Sequence, residues 1–516
     1  MTEVGFQTYF VLVCPHFTKT KPKKNILFIG FNNLISKGTK SMSNKSFNQS
    51  GFFILTSVFF FWGFVAASND ILIPVFKKAF SLSQGESQLV SLAFYIAYTV
   101  GSIIYMVISK LMGTDLINKI GYKNSLAMGL GISALGTLLF YPAANLSSFP
   151  LMLSGLFIVG LGFSLQQTVA NPLAIALGPL TTGSQRLTLA GGINNLGTTI
   201  GPLIVSFAIF GSVSAKNTNL SIESVKIPYL ILGAAFLAVA FILKFSSLPD
   251  KPAVVIETEG GKKDRKNALQ YPQLILGMIA IFVYVGVEVS TASNLPAYME
   301  KDLGFDTKDV APYISLYWAS LMIGRWTGAV EAFTSNVKSQ KILRFVAPYL
   351  AFGVFLLANA IAGRDLSPFY IYAAVIAVLI IADIASKGNP ARMLLIFSLF
   401  GIISLLIGMG TSGMTSVYAF ISVGLFCSTL WPCIFTLAIA GLGKNTSEGS
   451  SYLIMMIMGG GVISFLQGAL ADSTNIHFSY IVGVVCFAYL AFYAIRSAKI
   501  LQEQGIQYDK NLAGGH

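Results

Sequence analysis

Two acids stand inside apolar runs of this chain. Asp70 follows Asn69 in a stretch that opens with Phe59, Phe60, Phe61, Trp62 and Phe64 and continues through Ile71, Leu72 and Ile73 before Lys77. Glu288 sits in a second run with Tyr284, Ser290, Thr291, Ser293 and Asn294. A carboxylate surrounded by apolar residues is costly to keep, so a role in binding or moving a ligand or ion is the default reading; an interfacial position is the alternative for Asp70. Amides cluster in the same way, as Gln166-Gln167-Thr168 with Asn171-Pro172, and as Asn194-Asn195 between Gly192 and Gly197. An amide donates and accepts at once, which suits a hydroxyl-rich ligand; the competing reading is a hydrogen bond between helices. Pro172 frees a carbonyl and kinks its helix. Arg325, in Gly324-Arg325-Trp326-Thr327-Gly328, is the nearest approach to a mid-run cation, and its place suggests a gate or a structural role.

Amides, hydroxyls, aromatic faces and two acids around one cavity point to a sugar. No cationic cluster is available to neutralise a phosphate or carboxylate substrate. There is no nucleotide-binding P-loop, no metal-ligand cluster and no nucleophile–base–orienter set. The expectation is therefore a protein that is not an enzyme and has no cofactor.

These residues must be positioned by elements that lipid tolerates. Of 516 residues, 54% are hydrophobic and 11% are charged, against about a quarter charged in a soluble domain. In lipid every backbone group needs an internal partner, which leaves helices or a closed barrel. The apolar runs are continuous over about twenty residues rather than alternating over about ten, so the spans are helices. The four cysteines, Cys14, Cys427, Cys433 and Cys486, show no paired spacing and read as packing residues.

About fourteen spans are expected from these runs, six before a polar stretch and eight after it. The organisation read from them is a tail over 1–50, a six-helix bundle over 51–248, a central loop over 249–271, a second bundle over 272–497 and a tail over 498–516. Met42 is a candidate natural start. Two spans exceed a six-plus-six plan, and the nearly pure aliphatic pair at about 341–386 is the candidate insertion, facing lipid, with Asp383 snorkelling at its end. The net charge of +13 follows from Lys and Arg gathered in alternate loops. Lys119, Lys123, Lys262, Lys263, Lys338, Lys341 and Lys444 fall on one side, which the positive-inside rule makes cytoplasmic, with both termini there. Nucleic acid is not needed to explain this charge.

With these residues in place, the chain resembles the fucose:proton symporter family of the major facilitator superfamily, in its glucose/galactose transporter branch. The resemblance rests on the opening run through Asn69-Asp70-Ile71-Leu72-Ile73-Pro74, on Gln167-Thr168-Val169-Ala170-Asn171-Pro172, on Tyr284-Val285-Gly286-Val287-Glu288, and on Trp431-Pro432-Cys433 with Gly459-Gly460-Gly461. It implies alternating access around a central cavity. It places Asp70 on a coupling acid, Trp62 on a cavity aromatic and Asn194 on a polar cavity position. Fucose permeases carry a glutamate where this chain has Gln167; Glu288, from the other half, supplies an acid instead. Lys119 and Lys123 lie in a loop similar to the superfamily's cytoplasmic gating motif, with Asn118 in place of the usual acid.

The combined expectation is a monomeric transporter of the bacterial cytoplasmic membrane, taking up a hexose with a coupling ion, a proton before sodium. The substrate-binding set is Trp62, Asn69, Gln166, Gln167, Asn171, Asn194, Asn195, Tyr284, Glu288 and Asn294; Asp70 and Glu288 couple the ion; Lys119, Lys123 and Arg325 gate or support. The alternatives are sodium coupling, export of another small polar metabolite, and sensing without transport.

Overall fold

The computed structural model describes residues 48–81, 89–179, 182–210, 222–250, 267–305, 307–334 and 336–506. The expected tails, most of the central loop and the Met42 start lie outside them. The elements are helices throughout the described residues. The first set is α1 Gln49–Ala79, α2 Leu89–Leu111, α3 Tyr122–Leu138 extended by Phe140–Asn145, α4 Phe149–Ala176, α5 Gly183–Phe210 and α6 Lys226–Phe245. The second begins with α7 Pro272–Leu303, α8 Thr307–Gly328, α9 Val337–Ile361 and α10 Tyr372–Ser386. It continues with α11 Pro390–Gly410, α12 Gly413–Cys427 resuming as Leu430–Ile439, α13 Thr446–Met455 resuming as Gly459–Ser473, and α14 Ile481–Glu503. Among the described residues twelve segments are long and apolar enough to cross a membrane. Two more helices, α5 with 28 residues and α8 with 22, also have the length. Of the roughly fourteen spans expected, these twelve stand on length and composition.

Capping and proline set several boundaries. The Asn48 side chain caps α1 by accepting from Gly51 N at 2.9 Å, and the Asn336 side chain caps α9, which therefore starts before the apolar run does. Pro172 has no N–H, so the Thr168 carbonyl four residues earlier has no donor within α4; it accepts from the Ser450 hydroxyl of α13 at 2.8 Å instead. Two helices of the second set are broken, which the continuous apolar runs do not announce. One break falls at Ser428 and Thr429, just before Pro432; the other is a 3-10 turn over Met456–Met458.

The two sets pack by a common scheme. α1 lies on α5 as α7 lies on α13; α2 lies on α4 as α8 lies on α12; and α3 packs with α4 and α6 as α11 packs with α12 and α14. The α1–α5 and α7–α13 crossings are glycine-tight. A Cβ at Gly63 would meet the Asn194 carbonyl oxygen at 1.9 Å, and one at Gly459 would meet that of Phe282 at 2.0 Å, so only hydrogen permits these approaches. α9 and α10 take no part in this correspondence. They pack on α8 and α11 and expose large apolar side chains such as Phe345, Leu350, Leu357 and Ile381 on their outer faces. Asp383 does not snorkel: it is 3% exposed and turned inward, with Oδ2 3.5 Å from Arg344 Nε, so the opposite charge offsets part of the cost of burying it.

Among the described residues the sets meet through α2, α4 and α5 on one side and α8, α12 and α13 on the other. The shared end holds the loops with Lys119, Lys123, Lys338 and Lys444 and forms the basic end of the molecule. Tyr122 OH and Ser447 Oγ lie 3.1 Å apart, Ser184 Oγ and Cys433 Sγ 3.7 Å, and Ser451 Oγ donates to the Ser102 carbonyl at 3.4 Å. Thr99 reaches the Met455 carbonyl at 3.3 Å near mid-depth. At the basic end, Asp115 caps the short helix Leu116–Ile120 and accepts from Tyr105 OH at 2.8 Å. Burial raises its carboxyl above the usual range, against the hydrogen bonds it accepts. Cys427, Cys433 and Cys486 are buried free thiols.

Candidate functional site

A cavity of about 240 Å³ lies between the two sets. From the first set it is lined by Phe59 and Trp62 of α1, Gln167 and Asn171 of α4, and Asn194 and Asn195 of α5. The second set adds Tyr284 and Glu288 of α7, Trp318 and Arg325 of α8, and Trp431 of α12. Seven of the ten expected binding positions and Arg325 thus converge, drawn from five helices of both sets.

Two of the amides are held on one side and face the cavity with the rest. Gln167 Nε2 donates to Tyr98 OH at 3.0 Å, and Asn194 Nδ2 donates to the Phe59 carbonyl at 2.9 Å. Asn171 Nδ2 is buried and has no hydrogen-bond partner among the described residues, while the Tyr284 hydroxyl is directed at the Glu288 carboxylate. An unsatisfied buried donor beside a cavity is costly, and a hydroxylated ligand is the kind of guest that would satisfy it.

Arg325 spans the floor. Its Nη1 donates to Asn195 Oδ1 at 2.6 Å and to the Gly191 carbonyl at 3.2 Å, and its Nε donates to the Ser428 carbonyl at 3.0 Å. That last carbonyl is available because Pro432, four residues on, cannot donate to it. Trp326 Nε1 adds a bond to the Gly192 carbonyl at 3.3 Å. A Cβ at Gly191 would meet Arg325 at 3.2 Å and one at Gly192 would meet Trp326 at 2.8 Å, so the paired glycines make room for the α8 side chains. Arg325 therefore both lines the cavity and ties α5 to α8, more than the gate or support expected from the sequence.

Gln166 is not on the wall. It is fully buried, accepts from Trp62 Nε1 at 3.0 Å and donates to Ser133 Oγ at 3.0 Å; Ser133 in turn donates to the Val159 carbonyl at 3.1 Å. One residue of helical advance turns it from the cavity to the α3 crossing. Its partner Trp62 thereby has its N–H satisfied inside the protein and offers the cavity a carbon face. Asn294 is also away from the cavity, with Nδ2 bonded to the Ser290 carbonyl at 2.8 Å. The side chains of Asn69 and Asp70 lie outside the described residues. Lys119 is exposed, and Lys123 Nζ donates to the Ser246 carbonyl at 3.2 Å, fastening α3 to the end of α6. Sequence reasoning misses Trp318, Tyr95 and Phe59 as lining residues; Trp431 is visible within Trp431-Pro432-Cys433 but carries no role there.

The described residues contain no group of three or more His, Cys, Asp or Glu able to hold a metal ion. The comparisons with known proteins agree with the fold. A glucose/galactose transporter of Brucella abortus is 33% identical over 473 residues, covering 91% of this chain and 98% of that protein. A putative glucose/galactose transporter of Helicobacter pylori is 32% identical, covering 86% and 96%. The L-fucose-proton symporter of Escherichia coli K12 is 27% identical, covering 86% and 92%. The crystal structure of FucP in the outward conformation superposes with a TM-score of 0.65 at 26% identity, covering 86% of this chain and 98% of that one. The family described as Major Facilitator Superfamily matches residues 51–381. This multi-pass membrane protein, a transporter rather than an enzyme, belongs to the Major Facilitator Superfamily, among the relatives that join glucose/galactose transporters to fucose–proton symporters.

Proposed function

We propose that the chain is a secondary active transporter that takes up a hexose, such as glucose or galactose, together with a cation, by alternating access. The observation that carries this reading is the cavity itself. It lies where the two helix sets meet and joins an unsatisfied donor, Asn171 Nδ2, and the Tyr284–Glu288 pair to amides held in place and to the carbon faces of Trp62 and Trp431. Fixed amides and hydroxyls pair with sugar hydroxyls, and aromatic faces accept the C–H side of the ring. The names of the relatives, transporters of glucose and galactose and a symporter of fucose with protons, support the same class of substrate.

The coupling ion in this reading is a proton, carried by Asp70 and Glu288 on opposite sets. The protein lies in a bacterial cytoplasmic membrane as a monomer, with its basic end and both termini cytoplasmic. The sets are joined at the basic end, so in this reading the cavity is closed toward the cytoplasm. Purified protein in liposomes, given labelled hexoses under an imposed proton or sodium gradient, tests all of this. Accumulation of glucose or galactose driven by the proton gradient is expected. No accumulation of any hexose under either gradient would overturn the substrate class, and a response to sodium alone would overturn the ion.

A further inference from the structure

The helices α9 and α10 stand outside the scheme that the two sets share, yet their basic ends reach the seam between them. Glu331, on the short helix Val330–Phe333 that follows α8, accepts from Arg344 Nη2 of α9 at 2.8 Å. Arg344 Nε also lies 3.5 Å from Asp383 Oδ2 of α10. All three side chains are largely buried, with 9% of Glu331, 18% of Arg344 and 4% of Asp383 exposed. Beyond α10 the chain turns through Lys387 and Gly388, both at positive φ. A Cβ at Gly388 would come within 2.8 Å of the Glu331 carboxylate, so glycine is needed here for both its conformation and its lack of a side chain. The turn is braced by Ser386, whose hydroxyl donates to the Asp383 carbonyl and accepts from Gly388 N.

One residue of the first set enters this assembly. Gln185, in the first turn of α5, is 3% exposed. Its Nε2 donates to the Gly388 carbonyl at 2.8 Å and to Glu331 Oε2 at 3.4 Å. α5 also touches α9 and the Glu331 helix directly.

We propose that α9 and α10 form an accessory latch on alternating access: their buried charges build a fixed acceptor for Gln185 and so stabilise the state closed at the basic end. The division of charge supports this. Glu331, Arg344 and Asp383 all belong to the second set and move together, so the ion pairs among them stay whole when the sets part. What Gln185 brings to this cluster from the first set is a neutral amide, and water can replace its two hydrogen bonds when it leaves. Had the carboxylate and guanidinium faced each other across the seam, opening would expose two charges that must be separated or left unpaired. The arrangement is thus strong within one set and releasable between sets. Arg344 and Asp383 are positioning residues, acting through Glu331 and the Gly388 carbonyl on Gln185.

The proposal rests on the alternating-access reading but not on the identity of the substrate, so its test uses no sugar. Spin labels on Asn118→Cys and Lys444→Cys, in a Cys14→Ser background in lipid nanodiscs, report the separation of the two sets at the basic end. Gln185→Ala is expected to raise the wide-separation population about threefold or more, the effect of a neutral hydrogen bond lost from one state only. Arg344→Met is expected to do the same, and the double variant to match either single one. Distributions unchanged from the parent in both single variants would overturn the latch, as would effects that add in the double variant. If Arg344→Met fails to fold, Gln185→Ala decides alone, since it changes no charge.

Discussion

Trp62 hands its indole N–H to Gln166, at 3.0 Å, away from the cavity that the same ring lines. The ring is thereby fixed in plane and left with a carbon face toward the ligand. Gln166→Leu removes the acceptor and also strips Ser133 of a donor, at a cost of about 1–3 kcal/mol for the buried groups left unpaired. We expect a lower melting temperature and sugar affinity reduced about fivefold or more. In a Trp62→Phe background, which has no N–H to lose, Gln166→Leu is expected to cost much less. Calorimetric titration of the four proteins checks this; strictly additive losses would mean that Gln166 does not act through Trp62.

Glu288 enters the cavity from α7, opposite the amides of α4 and α5. Glu288→Gln keeps the shape and removes the charge. We expect sugar binding to weaken about tenfold, the scale of one charged hydrogen bond. Asp70→Asn is expected to abolish gradient-driven uptake while leaving part of the counterflow exchange, because exchange does not require the ion to be released. Unchanged affinity in the first variant would remove Glu288 from the sugar site, and parental accumulation in the second would remove Asp70 from the coupling scheme.

Arg325 is a single side chain that holds α5, α8 and the break in α12 at once. Lysine carries the charge but cannot reproduce a guanidinium that donates in two directions. Arg325→Lys is therefore expected to cut the transport rate about tenfold or more, while the protein still folds and purifies as the parent does. Asn195→Ala should produce a similar loss, and the pair should be non-additive, because both remove the same 2.6 Å bond. Initial uptake rates in liposomes provide the measurement. A lysine variant as fast as the parent would show that charge alone suffices.

Much of this architecture is legible in the sequence, and what escapes it does so for physical reasons. The spans can be read because a bilayer imposes a length and tolerates only satisfied backbone. The amides and acids can be read because lipid makes them costly. Facing cannot. Gln166 and Gln167 are neighbours about 100° apart on one helix, and α4 is buried widely enough that nothing in its pattern says which of them sees the cavity. Asp383 reads as snorkelling because its partner Arg344 is distant in sequence and lies on another helix. Trp318 does not stand out because an aromatic in an apolar run looks the same whether it packs or lines a cavity. The proline effects lie between these cases: Pro172 announces a freed carbonyl, but only the fold shows that Ser450 takes it.

The α1–α5 crossing predicts a steric limit. Gly63 and Gly197 face the opposite helix, with a Cβ at Gly197 reaching the Phe60 carbonyl oxygen at 2.4 Å. Backbone cannot swing aside as a side chain can, so Gly63→Ala must push α5 away and disturb the Asn194 bond to Phe59. We expect about 1–3 kcal/mol of destabilisation from overpacking, seen as a lower melting temperature, together with weaker sugar binding. Gly131→Ala, where a Cβ would meet nothing within 4 Å, is the control and should leave both unchanged.

Asp115 offers a test in pH. Burial raises its carboxyl above the usual range, so the folded protein holds this proton more tightly than the unfolded chain does. The sign follows: the neutral carboxyl favours the fold at low pH, and that contribution is lost as pH rises through the raised value. Asparagine caps a helix as well as aspartate does and does not titrate. The melting temperature of the parent relative to Asp115→Asn should therefore fall as pH rises from the acid range toward neutrality. A difference that grows with pH would mean that the hydrogen bonds from Tyr105 and Asn118 outweigh burial and hold the carboxylate charged, and a flat one would mean that they cancel it.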